Sequence, residues 1–199
     1  MLRAAMLLSL SLIAGCALGP QTREGMANYD FGLPRSGKDA NPRLQQDLLV
    51  AEVTAPAWMD NSNIYYRLAY QDPSRPQAYA LSRWVMSPAA LLGQRLRAKI
   101  ARASTAGVFV PADGVRAGYT LRLELEEFSQ VFDAADRSRA VLRLRASLLR
   151  QRNIVAQQDF NLEHAAATPN AEGGVRALIA ASDAAGEMLV DWLAANLKK

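Results

Sequence analysis

Few side chains in this 199-residue sequence could do chemistry, and Cys16 is the best placed of them. It is the single cysteine, and it closes the run Met1-Leu-Arg-Ala-Ala-Met-Leu-Leu-Ser-Leu-Ser-Leu-Ile-Ala-Gly-Cys16. One positive charge, Arg3, precedes an apolar stretch from Ala4 to Leu12 that only serines interrupt, and Ala14-Gly15 form a small-residue exit. This order and length fit a secretory signal, because a spanning helix needs about 20 apolar residues. Small residues let the chain enter a peptidase extended, and the thiol that follows is a nucleophile able to carry diacylglycerol. The pattern is that of a lipobox. Residues 1–15 are therefore expected to be removed, with Cys16 as the lipidated amino terminus. The competing explanation, an ordinary secretory signal with a stray cysteine, has no exit pattern nearby that fits better than Ala14-Gly15-Cys16.

The remaining candidates point away from catalysis. His164 is the only histidine; it lies beside Glu163 at the end of an expected strand, on the apolar-face parity, and reads as a structural residue. No GxSxG elbow, GxGxxG turn, P-loop or HExxH helix occurs. With one cysteine and one histidine, a zinc site would fall to carboxylates, which is uncommon. Glu126-Glu127 straddles the point where apolar parity passes from Leu125 to Phe128, which predicts a bulge, and Asp133 and Asp136 flank a hairpin turn. No catalytic, cofactor-binding or metal-binding residue is expected. Lipidation of Cys16 leaves no thiol for a disulfide. Loss of Arg3 lowers the formal charge of +4 by one, an excess too small to indicate a nucleic-acid partner.

The elements that must position any site begin after a tether. Residues 16–46 are rich in Gly, Pro, Asn and charge (Gly19-Pro20, Gly32-Leu-Pro34, Ser36-Gly-Lys-Asp39, Asn41-Pro42) and bury too little apolar surface to order themselves. About thirty flexible residues span roughly 30 Å. Tyr29-Asp-Phe-Gly32 is the exception, a candidate edge strand. Ala17, which is not aspartate, favours the outer over the inner membrane by analogy with lipoprotein sorting.

Residues 47–199 predict a single α+β domain: a largely antiparallel sheet with two helices on one face. Leu48–Thr54 is a near-continuous apolar strand. Ile64, Tyr66, Leu68 and Tyr70 alternate with Tyr65, Arg67 and Ala69. Ala78–Trp84 returns after the turn cluster at Gln71–Pro76, and Ser87-Pro88 opens a helix with Leu92, Leu96, Ile100 and Ala103 on its apolar stripe. Three consecutive strands then register from their patterns. A four-residue loop at Asp133–Asp136 sets Leu125 against Leu144, Leu123 against Ala146, Glu126 against Arg143 and Glu124 against Arg145. A turn at Gln151 sets Arg143 beside Asp159 and Arg139 beside Glu163. The arginines thereby become partners of facing carboxylates rather than a phosphate-binding patch. The last helix runs from Thr168-Pro169 along Val175, Leu178, Ile179, Ser182, Gly186, Leu189, Val190, Leu193 and Leu197, with Ser182 and Gly186 expected to permit close approach to the sheet.

The order of these blocks resembles a known family. Ala55-Pro-Ala-Trp-Met-Asp60, Asn63-Ile-Tyr-Tyr-Arg-Leu-Ala-Tyr70, Tyr79-Ala-Leu-Ser-Arg-Trp84 and Ser87-Pro-Ala-Ala-Leu-Leu92, with the lipobox and the Tyr29-Asp30-Phe31 segment, are similar to the ABC-type transport auxiliary lipoproteins, PqiC-like subunits among them. The resemblance implies a non-catalytic, periplasm-facing lipoprotein of the outer membrane. Its partner would be an MCE-domain protein in a system moving lipids or other hydrophobic substrates. A homo-oligomer is compatible with the sequence; a periplasmic lipid-binding carrier is the first alternative and an envelope hydrolase the second. Trp58 and Tyr65 are the candidate partner-binding residues, since Tyr66 and Tyr70 share the apolar parity of Ile64 and Leu68.

Overall fold

Two long antiparallel ladders dominate the computed structural model, which describes residues 25–33, 37 and 39–197. Cys16 and the expected signal lie outside the described residues. The elements are β1 (Ala27–Tyr29), β2 (Leu48–Val50), β3 (Asn63–Leu68), β4 (Pro76–Trp84), α1 (Pro88–Arg102), β5 (Val108–Phe109), β6 (Tyr119–Ala134), β7 (Arg137–Arg150), β8 (Asn153–Ala165) and α2 (Ala171–Asn196). Short 3-10 turns occupy Ala57–Met59 and Pro111–Asp113. β6, β7 and β8 form the predicted meander, and β3 pairs antiparallel with β4. β2 and β3 both run parallel to β6, and β1 runs parallel to β4. The mixed sheet curls into a half-barrel with both helices on one face. No helix among the described residues is long and apolar enough to cross a membrane.

The core lies between that face and the helices. Leu121, Leu123, Leu125 and Phe128 of β6 and Leu142, Leu144, Ala146 and Leu148 of β7 meet Leu92, Leu96 and Ile100 of α1 and Leu178, Leu189 and Leu193 of α2, all buried. Truncating any one of these leucines to alanine costs about 2–5 kcal/mol. α2 is capped by Asn170, whose side chain accepts from Gly173 N at 2.9 Å. Ser87 flanks α1 without a side-chain cap bond, leaving Pro88 as its start signal.

Two registers differ instructively from expectation. The β6–β7 turn is the two-residue Ala135-Asp136, not a four-residue loop, with Ala134 opposite Arg137. Shifts between Phe132 and Ala134 and between Leu125 and Glu127 then move the pairing one residue each. Leu125 therefore reaches Leu144 and Glu124 reaches Arg145, as predicted, while Glu127 rather than Glu126 faces Arg143. The expected bulge is what restores the register. β8 is slipped by two residues from expectation: Arg145 faces Asp159, Arg143 faces Asn161 and Arg139 faces Ala165. A two-residue slip keeps every side chain on its face, so the sequence pattern could not detect it. Arg145 bonds Asp159 at 2.8 Å and Glu126 at 3.2 Å, and Arg139 reaches Glu163 diagonally at 3.0 Å.

The segment expected as tether meets the domain at two places. β1 extends the sheet beside β4, placing Phe31 against Trp84 and Phe128 with centroids 5.5 and 6.0 Å apart. Farther on, Leu44 is buried, Asp39 pairs with Arg102 at 2.6 Å and Arg43 pairs with Asp191. Gly186 faces Lys99 and Leu96 of α1, so it admits the other helix rather than the sheet.

Candidate recognition surface

Trp58 owes its position to a mismatch of lengths along β6. Thr54 bridges Glu124, and Tyr65, eleven residues on, pairs with Ser129, only five residues farther along β6. The surplus chain folds into the 3-10 turn Ala57–Met59. Met59 points into the core and is fully buried, which leaves Trp58 half-buried at the surface. Tyr65 and Arg67 are on the face of β3 opposite buried Ile64, because side chains alternate along a strand.

The structure brings both sequence-predicted residues together. The Trp58 and Tyr65 rings meet edge to face, with centroids 5.1 Å apart and planes at 77°. Tyr65 Oη donates to Trp58 O at 2.8 Å, and Asn61 Nδ2 donates to the same oxygen at 2.8 Å. Asn61 Oδ1 in turn accepts from Asn63 N at 2.9 Å. Two groups complete the surface: Arg67, which the sequence did not single out, and Glu127, which the sequence marked only as part of a bulge. The Arg67 guanidinium lies 5.4 Å from the Trp58 ring centroid and donates to Glu127 Oε2 at 2.9 Å and to Pro73 O at 3.2 Å. Glu127 sits at the β6 register shift, which turns its carboxylate towards β3. The period-2 spacing of Arg67 from Tyr65 was the available signal for the first. Nothing short of the cross-strand register would have indicated the second.

Two buried polar atoms beside this cluster, Glu127 Oε1 and Ser129 Oγ, lack hydrogen-bond partners. Tyr66 and Tyr70, expected on the core face, separate. Tyr66 packs 4.6 Å from Tyr79 and 5.9 Å from Phe132, whereas Tyr70 lies in the turn after β3 and is 46% exposed. Trp84 is buried in the core. His164 is exposed on β8, opposite Ala140. No group of three or more His, Cys, Asp or Glu able to hold a metal occurs among the described residues. Arg145 and Arg139 are held more firmly protonated by hydrogen bonds to Asp159 and Asp133. They act as fixed cations in ion pairs, not as proton carriers.

Two rings in contact, a cation over one of them and an ion pair thus meet on one surface. The chain belongs to the family of ABC-type transport auxiliary lipoprotein components, whose profile matches residues 29–190. It is thus an auxiliary, non-catalytic lipoprotein, anchored to a membrane of the cell envelope and associated with ABC-type transport. Among solved structures it is similar to protein XCC0632 from Xanthomonas campestris, with 21% identity and a TM-score of 0.72 over 85% of this chain and 96% of that one. An uncharacterised protein of known structure gives 15% identity and a TM-score of 0.65 over 85% of this chain and 99% of that one. At these identities the likeness shows the fold alone. No curated protein matches the chain.

Proposed function

We propose that this protein is held at the outer membrane, facing the periplasm, by a lipid on Cys16, and docks an MCE-domain partner of an ABC-type system that moves lipids or other hydrophobic substrates. The observation that carries the docking role is the Trp58–Tyr65–Arg67 surface, which three hydrogen bonds and an ion pair hold in place before any partner arrives. Rigid aromatic and arginine side chains lose little entropy on binding and concentrate at interface hot spots. The carrier alternative draws less support. Core leucines fill the space between helices and sheet, and a cleft of about 620 Å³ opens at the surface between Val53, Ala55 and the Ala90–Arg97 side of α1.

Alanine at both Trp58 and Tyr65 would remove the Tyr65 hydrogen bond together with part of the packing of Trp58 on the core, so single variants that leave Tyr65 in place are used. Capture of the MCE-domain protein from solubilised envelopes tests the docking role. Trp58→Ala and Arg67→Gln, each shown to be folded, should reduce capture at least about tenfold, the loss typical of a hot-spot side chain. Capture equal to that of the unaltered chain by both variants would reject the surface.

A further inference from the structure

One end of the sheet combines charge and apolar exposure in a way the ion-paired faces do not. There β6 begins at Tyr119, β7 ends at Arg150 and β8 begins at Asn153, with Tyr119 opposite Arg150 and Arg150 opposite Asn153. Val115, Ile154 and Val155 are 39%, 61% and 49% exposed at this end. Arg116, Arg150 and Arg152 are exposed beside them, and none joins an ion pair among the described residues. Arg150 instead lies 5.7 Å over the Tyr119 ring. The nearby acids, Asp47 and Asp113, each accept a backbone N–H, from Gly107 and Val110, at 2.8 Å.

The turn itself is built against local preference. Gln151 and Arg152 form a two-residue hairpin with Gln151 at φ 59°, a position that favours glycine. The left-handed region is unfavourable for a residue with a Cβ, which glycine lacks. The hairpin therefore presents two long polar side chains where a glycine would fold more easily. Strain of this kind gathers at functional surfaces.

We propose that this end of the sheet is a docking surface for an acidic segment of a partner protein that also carries apolar side chains. Three unpaired arginines supply the charge complement, and Val115, Ile154 and Val155 supply the apolar contact. The preference for a protein over a bilayer rests on the anchoring proposed above. β1 runs parallel to β4 with Ala27 opposite Ser82, so the chain enters the sheet from the side of Pro76, which pairs with Arg67. That is the β6 end bearing Val131 and Phe132. From Ser129 back to Tyr119 β6 extends about 33 Å, which carries the arginine end away from the point where the anchored chain arrives.

A photocrosslinking residue placed at exposed Ile154 of the full chain, irradiated in intact envelopes, tests this. The expected adduct joins an Asp- and Glu-rich peptide of a protein. Its yield should fall at least about tenfold when Arg116, Arg150 and Arg152 are all changed to Glu, and should hold when Arg137, at the opposite end, is changed to Glu. The corresponding triple Arg→Gln variant, milder in its effect on folding, should give an intermediate loss. Adducts to phospholipid alone, no adduct, or an adduct undiminished in both triple variants would overturn the inference. So would sedimentation of the unlipidated chain with phosphatidylglycerol-containing vesicles in an arginine-dependent manner. An adduct to an acidic segment of a protein without MCE domains supports this inference and leaves the MCE-domain partner to the capture test of the Trp58 surface, so the two readings fail separately.

Discussion

Gly174→Ala is expected to destabilise the domain far more than its chemistry suggests. A Cβ at Gly174 would fall inside the contact distance of Gln130 Oε1 and Cδ. That amide is fully buried and already committed on both sides: Oε1 accepts from Tyr79 Oη at 2.8 Å and Nε2 donates to Ser138 Oγ at 2.7 Å. To admit the methyl group, Gln130 must rotate and break at least one of these bonds, or α2 must lift from the sheet. Overpacking costs about 1–3 kcal/mol, and a buried polar group left without its partner about 1–3 more. The better helix propensity of alanine returns at most about 1 kcal/mol. The net loss is then about 1–5 kcal/mol, or roughly 2–20 °C in melting temperature for a domain of this size. Gly186→Ala is the internal control. Its Cβ would meet Lys99 Cδ at 2.6 Å and Leu96 Cδ2 at 3.3 Å. The lysine stem can swing aside at the expense of its exposed pair with Glu187, so this variant should melt within a few degrees of the unaltered protein. Denaturant titration of the two variants side by side decides the matter. Equal stability of Gly174→Ala and the unaltered chain would refute the account of how α2 seats on the sheet.

Further outcomes follow from the same contacts. Burial, with a smaller contribution from Tyr66, holds the Tyr79 phenol well above its ordinary value. The unfolded chain then releases that proton first, so stability is full below about pH 10 and declines as pH rises beyond it. Tyr79→Phe should lower stability throughout by the lost bond to Gln130 while flattening this alkaline decline, as urea melts across that range would show. Arg67→Ala should cost about 3 kcal/mol, because it leaves the mostly buried Glu127 carboxylate without its cation; Arg67→Ala with Glu127→Gln should recover part of that loss in the same melts. Between the helices, Arg95 holds Asp183 through two bonds of 2.6 and 2.9 Å with the aspartate half exposed. Asp183→Asn should cost no more than about 1 kcal/mol, with the difference shrinking in high salt.

The sequence exposed parity better than position. Alternation along β6, β7 and β8 placed each leucine on its face, and the change from Leu125 to Phe128 announced the bulge. The two-residue slip of β8 preserves every face, however, and only contacts beyond the pattern select it. The pairing of Arg145 with Asp159, rather than Arg143, was therefore out of reach. Phe31 and Leu44 dock as single side chains within polar, proline-rich sequence, and an isolated apolar residue carries no period to betray its burial. At the proposed docking surface, Trp58 and Tyr65 could be named from residue type and parity. Their contact depends on surplus chain between Thr54 and Tyr65, and Glu127 on a shift in β6; both are tertiary facts. Gly186 was legible as a close-approach position, but the element it admits, α1, was not.

The most direct test of the account is the intact mass of the mature protein isolated from the outer-membrane fraction of its own envelope. A chain beginning at Cys16 and heavier by a diacylglyceryl modification is the predicted result. A chain with a free Cys16 thiol, recovered from the soluble periplasmic fraction, would contradict it.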